Sequence, residues 1–255
     1  MSEEYRPEDN SGSAPSENEQ QTISFRLIQG KPIVTYFLIG ITACVYLMQA
    51  LSKWRYGVDY PMAFGAKVSP YITYYHQYWR LITPIFLHGS ITHILFNMYA
   101  LVTFGSILEN NIGSRKFLVF YFVSGFGAVL LHLGVEYLQA LSWSKAAAAG
   151  SVTAVSSYRA MLSTPTVGAS GAIYGLLIAF AMLYPDAVLT LIFPPIPMKA
   201  KWWILIFAFL ELGLGVFGST DGIAHFAHLG GMVFGALLMI YWRRKGRLFQ
   251  RDKWI

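Results

Sequence analysis

Long stretches of this chain contain no Asp, Glu, Lys or Arg, and that constrains its fold more than any other feature. Of the 32 charged residues, 18 fall in the 217 residues from 26 to 242, while residues 1–25 and 243–255 carry seven each. Soluble domains carry about 25% charged residues, whereas this chain is 13% charged and 55% hydrophobic. So few charges cannot cover a water-facing surface of this size. The mean hydropathy of +0.46 agrees. A soluble globular enzyme is excluded, and a polytopic membrane protein is expected.

A membrane helix needs about 20 apolar residues, and six uncharged runs supply them: 32–52, 81–108 (its first part an approach loop), 117–135, 160–185, 202–220 and 222–242. Glu211 alone interrupts the fifth run, at a position the pattern leaves unexplained. The expected fold is all-α, a polytopic bundle of six transmembrane helices. If both termini are cytoplasmic, 13 Lys and Arg lie inside and six outside, so the positive-inside rule places both ends in the cytoplasm. Residues 1–25, Ser/Glu/Asn-rich with no apolar core, read as a disordered cytoplasmic tail rather than a signal peptide. Residues 26–245 form the membrane domain and residues 246–255 a short basic tail. With no leader or transit segment, the expected location is a bacterial cytoplasmic (inner) membrane.

Net charge +6 comes with no basic stripe interleaved with aromatics, so no nucleic acid is expected. Cys44 is the single cysteine and can form no intrachain disulfide. Between Trp54 and Arg80 the outer loop is dense in Tyr and Trp, as a segment lying in the headgroup layer requires. Residues 138–167, rich in Ala, Ser and Thr, read as a long mobile loop. No internal repeat supports a transporter of inverted halves.

Polar groups inside a bilayer are costly, so those present are functional candidates. Three spans open at the outer face with such groups: His88, His93 and Asn97 at the second, Gly168-Ala169-Ser170-Gly171 at the fourth, and His225, His228, Gly230 and Gly231 at the sixth. A serine, a histidine and further donors at one depth are the parts of a nucleophile, its base and an oxyanion site. At about 100° per residue, His228 falls along the small-residue stripe of Gly231 and Gly235, with His225 about 85° off it. Gly171 and Gly175 form a matching stripe beside Ser170, so two helices docking through glycines bring Ser170 toward His228. Asn97 lies one turn below His93, and both can face one cavity.

These motifs, in this order and on these spans, resemble the rhomboid intramembrane serine proteases. The resemblance extends over roughly residues 32–242 and includes the Trp79-Arg80 pair and Glu109 with Gly113. It implies that Ser170 is the nucleophile and His228 the general base, with His93, Asn97 and the Ser170 backbone N–H as the oxyanion site. It also implies that His88 structures the approach loop and that Tyr174 packs on the His228 ring. Trp79, Arg80, Gly168 and Gly231 take supporting roles. Substrates would be transmembrane proteins in the lipid bilayer, with access between spans two and five, and no cofactor is needed. No carboxylate stands beside either catalytic motif, so the expectation is a dyad. Loss of the orienting Asp costs about 10⁴ in kcat in triad enzymes, so a dyad is slow unless packing fixes the imidazole. A non-catalytic membrane binder or chaperone on the same scaffold is the alternative; such relatives would lack the serine or the histidine. The histidines also raise a metal site, but no carboxylate accompanies them and His-Glu-x-x-His is absent, so no metal is expected.

Overall fold

The computed structural model describes residues 31–190, 195–217, 224–246 and 248. The tail expected at residues 1–25, and most of that at 246–255, lie outside them. Five helices are long and apolar enough to cross a membrane: α1 (Ile33–Tyr56), the run Ile91–Ile112, α6 (Ser114–Ala148), α9 (Ala200–Phe217) and α10 (His225–Arg244). The second run is α4 (Ile91–Ala100) and α5 (Ser106–Ile112), joined by one π-helical stretch at Leu101–Gly105.

The fourth expected span differs. Helix α8 (Ser170–Leu183) has 14 residues; at 1.5 Å per residue it is about 21 Å long, against a hydrocarbon core of about 30 Å. It is also the most enclosed element. Gly171, Ala172, Gly175, Leu176 and Ala179 are all buried, between α6 on one side and α10 on the other.

Small residues make that enclosure possible. A methyl group on Gly231 would lie 1.8 Å from the Gly171 carbonyl oxygen, and one on Gly175 would lie 2.5 Å from the Ser124 side chain. Without glycine at these positions the three helix backbones could not approach so closely, and in lipid such close packing drives association.

The charges buried away from the serine and histidine motifs each have a structural partner. Glu109, 2% exposed, accepts from Val34 N at 3.0 Å, Thr35 N at 2.8 Å, Thr35 Oγ1 at 2.8 Å and Ser114 Oγ at 2.6 Å. Its carboxylate thus caps the first turn of α1, where backbone N–H groups have no partner in the helix and the dipole favours an anion. In the C-terminal half of α6, Glu136 accepts from Lys67 and Ser69, with His132 Nε2 3.2 Å from its second oxygen. Lys67 is fully buried, and burial lowers its pKa while Glu136 pulls it back up.

The connection between α1 and α4 holds α2 (Tyr60–Gly65), α3 (Ser69–Thr73) and two 3₁₀ turns at Tyr78–Leu81 and Thr83–Phe86. Its aromatic side chains, among them Tyr60, Phe64, Tyr74 and Tyr75, are exposed, as an interfacial segment requires.

Two expectations are corrected. Residues 138–167 are not a mobile loop: α6 runs on to Ala148 and α7 (Val152–Ser163) follows after a short turn. Alanine is the best helix former, so Ala146, Ala147 and Ala148, in a stretch whose composition reads as a linker, extend the helix instead. The fold is also not purely α. Strands β1 (Val188–Thr190) and β2 (Pro197–Lys199) pair antiparallel, Leu189 opposite Met198. Pro185 holds Tyr184 out of the helical region, at φ −131° and ψ 60°, and so ends α8 before the strands.

Candidate active site

Ser170 is the first residue of α8, so its backbone N–H is among those left without an acceptor in the helix. Gly168 just before it has φ +125°, a conformation that L side chains rarely adopt, and a methyl group there would lie 2.8 Å from Cε1 and Nε2 of His93. The glycine therefore does two things: it permits the turn into α8, and it lets the His93 imidazole lie directly against the backbone leading to Ser170.

His228 is in the first turn of α10, one turn before Gly231. Because α8 and α10 touch through Gly171 and Gly231, the side chains preceding those glycines meet. His228 Nε2 lies 2.8 Å from Ser170 Oγ, within the range of a nucleophile–base hydrogen bond. Tyr174, one turn along from Ser170, stacks on the His228 ring at 4.2 Å between centroids and 9° between planes. His228 is 8% exposed.

His93 and Asn97 share one face of α4. The ring of His93 is 5.0 Å from that of His88, and Asn97 is buried with its Nδ2 lacking any acceptor. His88 is tied to α1 through its backbone: Gln49 Nε2 donates to its carbonyl at 3.2 Å, and its N–H donates to Gln49 Oε1 at 3.1 Å. Its Nε2 faces the Ala169 N–H at 3.5 Å. Burial first, and the neighbouring His93 second, push the His88 imidazole down to about 4.

Trp79 and Arg80 are not brought to this cluster. The Trp79 ring stacks on Phe64 at 5.3 Å and its Nε1–H donates to the Phe64 carbonyl at 3.1 Å. Arg80 donates to the carbonyls of Ala66 (2.6 Å) and Ala63 (2.8 Å) and to Gln77 Oε1 (2.7 Å), and lies over the Tyr71 ring. Both hold the connection between α1 and α4 in shape.

One residue had no expected place here. Glu211, 7% exposed, reaches in from α9 and accepts from the Tyr174 hydroxyl at 2.5 Å. Its Oε2 is 2.6 Å from His225 Nδ1, and its Oε1 is 2.9 Å from His228 Nδ1. The last contact is close in distance but out of line with the ring N–H, so it is an ion-pair approach without a directed hydrogen bond. The expectation that no carboxylate accompanies the histidines is thereby corrected: the carboxylate comes from a neighbouring span, not from either motif. The only sequence signal was its cost, an acid in an otherwise uncharged run. The ligand atoms of Glu211, His225 and His228 lie within 4.8 Å of one another, a spacing compatible with a metal ion. At 2.6 Å, however, the His225 contact is a hydrogen bond with a proton between nitrogen and oxygen.

The Rhomboid domain family matches residues 75–245. The chain is similar to the rhomboid protease GluP of Bacillus subtilis, 28% identical over 220 residues, covering 86% of this chain and 36% of that one. It is also similar to the rhomboid protease AarA of Providencia stuartii, 29% identical over 213 residues (81% and 70%). RHOMBOID-like protein 1 of Arabidopsis thaliana is 33% identical over 184 residues (68% and 37%). The chain spans little more than a third of the length of the first and third of these relatives. With the family matched over most of its length and five apolar helices to carry it through a bilayer, this chain is an integral membrane protein that belongs to the rhomboid family.

Proposed function

We propose that the chain is an intramembrane serine protease that cleaves transmembrane segments of other membrane proteins near the outer leaflet. The observation that carries this is the 2.8 Å contact between Ser170 Oγ and His228 Nε2 beneath the Tyr174 ring. Ser170 attacks the scissile carbonyl while His228 takes the hydroxyl proton. The tetrahedral oxyanion is held by His93, Asn97 and the Ser170 N–H. His228 then returns the proton to the leaving amine, and water repeats the cycle on the acyl-enzyme. The orphan Nδ2 of Asn97 supports the oxyanion role, since a buried donor without an acceptor is unfavourable unless something arrives to accept from it.

Helix α8 supplies the sixth span in this reading, and both termini lie in the cytoplasm, as the distribution of Lys and Arg favours. The same charge distribution favours a bacterial cytoplasmic membrane, the relatives being bacterial and eukaryotic alike. A substrate helix has its backbone hydrogen bonds satisfied internally and must unwind before attack. Segments with small or helix-breaking residues at the cut are therefore preferred over strongly helical Leu-rich ones.

The test is cleavage of a single-span reporter in proteoliposomes by wild type, S170A and H228A. Cleavage by wild type alone is expected, together with labelling by a serine-reactive phosphonate that needs both residues. If wild type and S170A behave identically, the protease reading fails, and a non-catalytic binder on the same scaffold takes its place.

A further inference from the structure

We propose that Glu211 is a positioning residue for His228, making the site a Ser–His–carboxylate arrangement whose third member is delivered by α9. The proposal rests on the protease reading above.

Three interior carboxylates are described in this chain, and their partners differ in kind. Glu109 is saturated by the N-terminus of α1 and two hydroxyls. Glu136 has a lysine. Among the described residues no lysine or arginine reaches Glu211; its partners are the Tyr174 hydroxyl and the Nδ1 atoms of His225 and His228. A carboxylate this buried is costly unless donors surround it. Here the hydrogen-bonded partners are the Tyr174 hydroxyl and the His225 imidazole, with His228 Nδ1 at ion-pair distance and that ring bound to the nucleophile through its other nitrogen.

That arrangement has a direction. When His228 takes the Ser170 proton it becomes an imidazolium, and the nearest described anion is Glu211 Oε1, 2.9 Å from Nδ1. Stabilising that transient cation and holding the correct tautomer is what a buried carboxylate does for a serine nucleophile's base. The carboxylate is itself fixed on two sides. Oε2 is held by His225 at 2.6 Å, and Oε1 by Tyr174, whose ring also stacks on His228. Tyr174 therefore orients both the base and the group behind it. In the resting geometry Oε1 is shared with the tyrosine and lies out of line with the His228 N–H. Catalytic hydrogen bonds are often poorly aligned without substrate and tighten in the reacting complex. His225, set off the glycine stripe and outside the Ser170 pair, finds its place as the residue that anchors Glu211.

The experiment compares wild type, E211Q and E211D in proteoliposomes, measuring kcat and KM on the single-span reporter, the rate of phosphonate labelling, and melting temperature in detergent. Gln has the same shape and can keep the Tyr174 contact but carries no charge. The expected result for E211Q is a kcat lower by roughly 10²–10⁴, with labelling slowed in parallel, KM within about twofold and little change in melting temperature. E211D restores part of the lost kcat. An E211Q enzyme within about threefold of wild type in kcat would overturn the proposal while leaving the protease reading intact. So would a loss that tracks a fall in melting temperature and is not relieved by E211D, because Glu211 would then be structural. A wild type that neither cleaves nor labels fails at the earlier step and takes this proposal with it.

Discussion

The phenol ring of Tyr174 and the imidazole of His228 lie face to face, 4.2 Å apart and within 9° of parallel. One helix thus supplies both the proposed nucleophile and the surface on which its base rests. An aromatic pair of this kind contributes about 0.5–1.5 kcal/mol beyond its buried area. Y174F keeps the ring and loses only the hydroxyl, so its cleavage rate is expected within about tenfold of wild type, whereas Y174A, which frees the imidazole, falls further. Single-turnover phosphonate labelling, which does not depend on substrate binding, measures the difference.

Asn97 offers a sharper contrast, because stability and activity should part company there. Its Nδ2 is buried and has no acceptor, so removing it relieves the fold of an unsatisfied donor. N97A is expected to melt no more than about 3 °C below wild type, yet to lose roughly 10²–10³ in kcat if the amide holds the oxyanion. Melting curves and cleavage rates on the same preparation check both halves. A loss of melting temperature in proportion to activity would assign Asn97 to packing.

The reverse is expected at Gly231. A methyl group there would lie 1.8 Å from the Gly171 carbonyl oxygen, and two helix backbones cannot yield as a flexible side chain does. G231A should separate α8 from α10 at a cost of about 3 kcal/mol or more, a fall in melting temperature of about 6–12 °C. Labelling of Ser170 should disappear as well, since the same contact sets the distance to His228.

His88 makes stability depend on acidity. Its folded-state value, about 4, lies below the ordinary histidine value of 6.5, so the folded protein binds fewer protons there than the unfolded chain. The associated stability is fully present above about pH 6.5 and is lost as pH falls toward about 4. Wild type should therefore lose more melting temperature between about pH 7.5 and about pH 4.5 than H88Q does, whatever their difference at the higher pH. Parallel slopes would show that His88 titrates normally.

Much of the architecture could be read from the chain because the bilayer removes most alternatives. A gap in charge long enough to span hydrocarbon has few structural solutions, and five of the expected runs are helices of crossing length. The docking of α8 on α10 was legible for a related reason. Glycines four apart mark a face, and that face fixes where Ser170 and His228 point. What escaped was of two kinds. Ala-rich residues near 146–149 carry no periodicity to separate linker from helix, and local propensity decided in favour of the helix. Glu211 was visible as an anomaly, but its meaning depends on which face of α9 meets α10. No motif encodes that, since α9 has no glycine stripe in contact with its neighbour's backbone, and its other polar residue, Lys201, lies at its very start and pairs with Asp186.

The brevity of α8 bears on something other than packing. Hydrolysis consumes water, and hydrocarbon excludes it, so an enzyme acting inside a bilayer has to provision its smaller reactant as well as its larger one. A helix about 9 Å shorter than the hydrocarbon is thick cannot fill its own column. Ahead of its N-terminus come polar side chains rather than further apolar turns: the His93 ring lies against Gly168, and His88 Nε2 faces the Ala169 N–H. In the proposed protease that shortfall leaves the approach to the nucleophile polar, which is the condition water needs to reach it.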